Sequence, residues 1–130
     1  MVVSGALAYR KLSTTTDVEN ANPHRLIQLL LDGAVEKINK AKYFMSNKMI
    51  AEKGEYISWS ISIIGGLQAS LDKEKGGEIA ENLDRLYDFC SYHLALANME
   101  NSTSKLDDVL NVMNQIREGW AGIKAEAEKL

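Results

Sequence analysis

An all-α fold, an antiparallel up-down-up-down four-helix bundle, is what this sequence predicts, on three observations. Four stretches of about 20 residues carry apolar side chains at spacings of three and four, the period of a helix with one buried face. Capping and turn residues stand between those stretches at short intervals, and short joints make consecutive helices antiparallel neighbours. No segment alternates apolar and polar residues as a strand does. The 130 residues are read as a single domain, with 1–20 a mobile N-terminal arm and 22–128 the bundle.

Residues 1–8 suit a short, loosely held helix, and Tyr9 to Asn20, with Ser13-Thr14-Thr15-Thr16 inside it, reads as an extended lead-in. Hydroxyl-rich, β-branched runs make poor helix. Asn22-Pro23 then marks a helix start, with Asn as the N-cap and Pro at the first helical position. The first bundle helix is expected over Pro23–Met45, with Ile27, Leu30, Leu31, Ala34, Ile38 and Ala41 on one face. The second is expected over Ile50–Leu71, with Ile57, Ile61, Ile64 and Leu71 on its stripe. Charged residues break the pattern after Leu71, and Gly76-Gly77 supplies the backbone freedom for a reversal there. Periodicity resumes in a third helix over Glu78–Asn98, whose core stripe is Ile79, Leu83, Leu86, Cys90, Leu94 and Ala97. Ser102 or Ser104 can cap the fourth, expected over Lys105–Glu128, with Leu106, Val109, Met113, Ile116, Trp120 and Ile123 inward.

Composition narrows the function classes. Hydrophobic residues make up 45% and charged residues 25%, the balance of an ordinary globular domain rather than a disordered chain. A net charge of −3 argues against nucleic-acid binding by bulk electrostatics. The charge is uneven, +3 over residues 1–54 and −6 over 55–130. Cys90 is the single cysteine, so no intramolecular disulfide can form and a reducing cytoplasm is expected. The basic residues Arg10 and Lys11 follow the apolar start instead of preceding it, the reverse of a signal peptide. No window holds the 18 or so apolar residues of a membrane span, so no membrane insertion is expected.

The residues of catalysis and metal binding do not assemble. A di-iron bundle needs Glu-x-x-His on two helices, whereas Ala21 stands three before His24 and Cys90 three before His93. There is no phosphate-binding Gly-rich loop. Cys90 falls on the third helix's core stripe and reads as a buried structural thiol, not a nucleophile. The expectation is a protein with no catalytic residue, no metal and no cofactor.

What remains is apolar surface in excess. Tyr56, Trp59, Ile63 and Leu67 lie beside the second helix's stripe, and Phe89, Tyr92 and Leu96 form a second strip on the third. Together they suggest a groove between two antiparallel helices that accepts an amphipathic helix. Gly65-Gly66, inside the second helix, would leave backbone open to such a ligand. A homodimer burying the strip against itself is the competing reading, and light scattering separates the two.

Three blocks carry a family resemblance. They are Val18-Glu19-Asn20-Ala21-Asn22-Pro23 with Leu26-Ile27 and Asp32-Gly33-Ala34; Ser70-Leu71-Asp72 through Gly76-Gly77-Glu78-Ile79-Ala80 with Asn82-Leu83 and Leu86-Tyr87; and Ala97-Asn98 with Arg117-Glu118 and Trp120. In these blocks, and in Tyr9, the chain resembles the flagellin-specific export chaperones of bacterial flagellar secretion, the FliS family. It departs from the pattern at Leu31, where an aromatic residue is common, and at Cys90, where another apolar residue is usual. The resemblance implies a cytoplasmic four-helix bundle with a small N-terminal helix. It implies binding of the C-terminal segment of flagellin, prevention of premature polymerisation, and delivery to an export-gate component. On that reading Leu7, Tyr9, Tyr56, Trp59, Ile63, Leu67, Phe89, Tyr92 and Leu96 are the partner-binding residues, and a co-chaperone or regulatory protein is an open further partner.

Overall fold

The structure, a computed structural model, describes residues 22–123. They form four helices: α1 over Pro23–Ser46, α2 over Ile50–Ala69, α3 over Lys73–Glu100 and α4 over Thr103–Ala121. There is no strand among the described residues. The expected arm, 1–20, and the expected last turns of the fourth helix, from Lys124 to Glu128, lie outside them. α1 packs on α2 and α4, and α3 packs on the same two helices, so the four close into a ring with α1 diagonal to α3. Three-residue and two-residue joints make every neighbour antiparallel, the expected bundle.

The caps explain most of the boundaries. Asn22 Oδ1 accepts the Arg25 N–H at 2.8 Å with Pro23 at the first position, as the sequence signals. At the last joint Asn101 adopts the left-handed conformation (φ 52°), and Ser102, not Ser104, caps α4 by accepting the Lys105 N–H at 3.1 Å.

The middle joint departs from expectation. The reversal falls at Ser70–Asp72 rather than at Gly76-Gly77. Asp72 Oδ1 accepts the N–H groups of Glu74 and Lys75, each at 3.1 Å, and this cap starts a helical turn at Lys73. Two satisfied end donors make that turn favourable before the apolar pattern begins. Gly77 is then a kink inside α3, at φ 52° and ψ −127°, a conformation open in practice only to glycine. Lys73 Nζ, 2.9 Å from Asp84 Oδ2, ties the first turn across the kink. The hydrogen bond to Asp84 pushes the Lys73 pKa up, and the same bond, first among its causes, pulls the Asp84 carboxyl down. The pair's stabilising contribution is therefore present between the ordinary carboxylate and lysine ranges, and fades as pH falls through the lowered Asp84 value or rises through the raised Lys73 value. A Cβ on Gly77 would meet nothing within 4 Å, so the cost of Gly77→Ala is purely backbone. Urea denaturation should show a loss of about 1–3 kcal/mol; an unchanged midpoint would contradict a kink held in this conformation.

The core is built from Leu30, Leu31 and Ile38 of α1, Ile57 and Ile64 of α2, Leu94 of α3, and Leu106 and Met113 of α4, all at most 1% exposed. Cys90 is buried among them as expected, and burial pushes its thiol up to about 12. A thiol protonated across the neutral range does not serve as a nucleophile. Two of the residues read as core on α3 are not. Ile79 is 60% and Leu86 40% exposed, and Ala80 and Tyr87 are buried instead. Counting back in antiparallel register from the His93–Asp108 pair puts Ile79 level with the end of α4.

Polar clamps fasten the two ends of the ring. At one end the His24 and Trp120 rings stack at 5.0 Å and 7°. His24 Nε2 donates to the Trp120 carbonyl at 2.8 Å, and Trp120 Nε1 donates to the His24 carbonyl at 3.0 Å. At the other end Lys53, though 4% exposed, donates to the Asn98 carbonyl at 3.0 Å and to Asn101 Oδ1 at 2.6 Å. An ammonium at the last carbonyls of α3 meets the negative end of that helix, which is why a buried lysine is tolerated there.

Candidate interaction surfaces

The residues expected to line one groove are placed on two different sides of the bundle. On α2, Tyr56 and Trp59 are half-buried and face α1. The Phe44 and Tyr56 rings stack at 5.4 Å, and Tyr56 and Trp59 at 5.7 Å. Tyr43 meets Phe44 edge-on at 5.3 Å, extending this aromatic ladder to the surface, where Tyr43 is 62% exposed. The Lys37 ammonium lies 4.2 Å from the centre of the Trp59 ring, and that of Lys40 lies 5.7 Å from Tyr56, both within cation–π range. Next to this ladder an open trough of about 450 Å³ runs along α1, lined by Glu36, Asn39, Lys40, Tyr43, Phe44 and Tyr56.

Ile63 and Leu67, further along α2, are 0% and 1% exposed. They belong to the core cluster and support the surface from beneath. Gly65 is different, since a Cβ there would meet nothing within 4 Å.

On α3, Phe89 is 43% and Tyr92 68% exposed, and Leu96 is partly exposed. The Phe89 ring stacks on His93 at 4.8 Å, and His93 Nε2 is 3.2 Å from Asp108 Oδ2 of α4. This strip therefore leans toward α4, away from Tyr56 and Trp59. Ile79, Leu86 and Met99 prolong it, the last 72% exposed. The resulting apolar stripe covers the outer face of α3 from residue 79 to 99, about 30 Å.

The α2–α3 seam, where the single groove was expected, is closed by polar contacts. Gln68 Nε2 donates to Asp84 Oδ1 at 2.9 Å and to Asp88 Oδ1 at 2.8 Å, and Lys53 bridges the other end. Side chains on one helix can lie on either flank, and a periodic pattern alone does not say which neighbour each flank meets. Leu7 and Tyr9 lie outside the described residues.

Tyr43, Phe44, Ile79, Leu86 and Met99 are the surface residues that sequence reasoning missed. Tyr43-Phe44 had a signal, two adjacent aromatics at a helix end one turn from Lys40. Among the described residues no group of three His, Cys, Asp or Glu could hold a metal ion, and no helix is long and apolar enough to cross a membrane.

The family model described as flagellar protein FliS matches residues 5–127. A flagellar secretion chaperone FliSB of Pseudomonas aeruginosa is 47% identical over 88% of this chain and 91% of its own length. The flagellar secretion chaperone FliS of Salmonella typhimurium is 41% identical over 95% of this chain and 93% of its own. That of Vibrio cholerae is 37% identical over 95% and 90%.

Proposed function

Because the chain belongs to the FliS family of flagellar secretion chaperones, we propose that its client is the C-terminal amphipathic segment of flagellin, held on the outer face of α3. The observation that carries this reading is the exposed stripe Ile79, Leu86, Phe89, Tyr92, Leu96 and Met99. Among the described residues the core cluster forms without any of these side chains, and a large exposed apolar face of this kind is typical of an interaction site.

The mechanism follows from the physics of a helix binding an apolar strip. A flagellin segment that is apolar on one face buries that face against α3 and orders as it does so. Ordering costs about 2–5 kcal/mol of the gross interaction, which keeps the complex releasable. While covered, the face is unavailable for polymerisation. The complex then travels in the cytoplasm to the export gate, and release comes from competition there, not from chemistry in the chaperone. Leu7 and Tyr9 supply contacts of the N-terminal arm, to the empty client surface or to the export machinery.

Calorimetric titration of the full chain with the C-terminal segment of its cognate flagellin tests the reading. Binding at micromolar concentration or tighter is expected, with one segment per monomer by light scattering. A folded chain that ignores the segment, or that buries the stripe in a stable dimer, would contradict it.

A further inference from the structure

The trough on the α1–α2 seam is not used by that reading, and the ring order places it on the opposite side of the bundle from the α3 stripe. We propose that it is a second docking site, whose occupant is an acidic amphipathic helix of another protein. Apolar side chains of that helix sit on the aromatic floor, and carboxylates lie along the Lys40 edge.

Shape, rigidity and charge each support this occupant. Glu36, Asn39, Lys40 and Tyr43 lie at i, i+3, i+4 and i+7 on one face of α1, so the trough runs along two helical turns, about 10 Å. That is the contact length of a helix anchored by residues one and two turns apart. Phe44 and Tyr56 are already held in the stacked ladder, so docking on them costs little side-chain entropy, and aromatic anchors of this kind dominate binding energy in interfaces. The trough is lined by one acid and one base, Glu36 and Lys40, and they differ in pairing. Glu36 is engaged by Lys37 at 3.1 Å. Among the described residues no carboxylate pairs with Lys40, whose ammonium is held over the Tyr56 ring.

The α3 stripe is flanked by charge of both signs, with Glu78, Glu81 and Asp88 exposed beside Arg85, and Glu100 paired with Lys105 at 3.2 Å. A helix with acidic flanks finds at the trough a cation with no carboxylate partner among the described residues. Charge of this kind selects partners more than it adds affinity. The two surfaces lie on opposite sides of the bundle and can be occupied together.

The test uses the full chain and two synthetic helices of about 16 residues, both with leucine at i, i+4, i+7 and i+11. One carries glutamate on the flanks and the other lysine. The acidic helix should bind and shift the NMR resonances of Tyr43, Phe44 and Tyr56. The lysine helix should bind about tenfold more weakly. Lys40→Glu should weaken the acidic helix about fivefold and strengthen the basic one. Both Lys40 and Tyr43 are exposed, so Lys40→Glu and Tyr43→Ala keep the fold; the latter should weaken the acidic helix about tenfold. Phe89→Asp, on the far side, should leave it unchanged, and so should saturation with the flagellin segment. Equal binding of the two helices, no binding of either, shifts elsewhere, or competition by the flagellin segment would each overturn the proposal. Apart from the saturation and competition arms, none of these outcomes depends on whether the flagellin segment itself binds.

Discussion

Phe89→Asp weakens binding of the flagellin segment by about 100-fold or more while the bundle stays folded. The loss has two parts. An aromatic anchor in the centre of an interface is worth about 2–4 kcal/mol, and the new carboxylate must be desolvated against an apolar client. The fold is spared because Phe89 is 43% exposed and its ring contact is with His93 on the same helix. Circular dichroism and the urea midpoint should change little, by about 0.5 kcal/mol, as for other surface substitutions. Tyr92→Asp, also on the exposed strip, should act in the same direction. If the Phe89 variant unfolds, the residue is part of the interior; if it binds normally, the stripe is not the client site.

Trp120→Ala has the opposite profile, a large loss of stability and little effect on client affinity in the folded fraction. The indole is half-buried at the end of the bundle, stacked on His24 and bonded to its carbonyl. Truncation removes the stack, the hydrogen bond and much of the apolar burial, about 2–4 kcal/mol together. For a domain of this size that lowers the melting temperature by about 10 °C or more. Trp120→Phe keeps most of the burial and loses the hydrogen bond, so it should cost about 1 kcal/mol. Calorimetric melting of the two variants separates clamp from packing. Equal and small losses would mean that the ends of α1 and α4 are held by something else.

The elements of the fold were readable because each rests on a local signal. Asn22-Pro23 announced α1, Ser102 announced α4, and Cys90 sat at helical spacing from Leu94 and Ala97 in the core. The middle joint was misplaced because two local signals competed. The glycine pair is the louder one in sequence, but Asp72 caps a turn ahead of it and Gly77 becomes a kink.

The surfaces were less legible, for a reason that is not local. Whether Ile79 is covered depends on where α4 ends relative to α3, and whether Leu86 is covered depends on how α3 is rotated against its neighbours. Whether Tyr56 and Trp59 share a side with Phe89 depends on which neighbour each helix flank meets. Both are properties of tertiary register, and a single helix's periodicity does not encode them. The sequence therefore announced surplus apolar surface and several of its residues, but merged two surfaces into one.

Amide hydrogen exchange of the full chain, with and without the C-terminal flagellin segment, locates the client on the bundle. The account predicts added protection along residues 79–99, with that of the α1–α2 trough unchanged. Protection confined to α1 and α2, or none along α3 when the segment is bound, would contradict it.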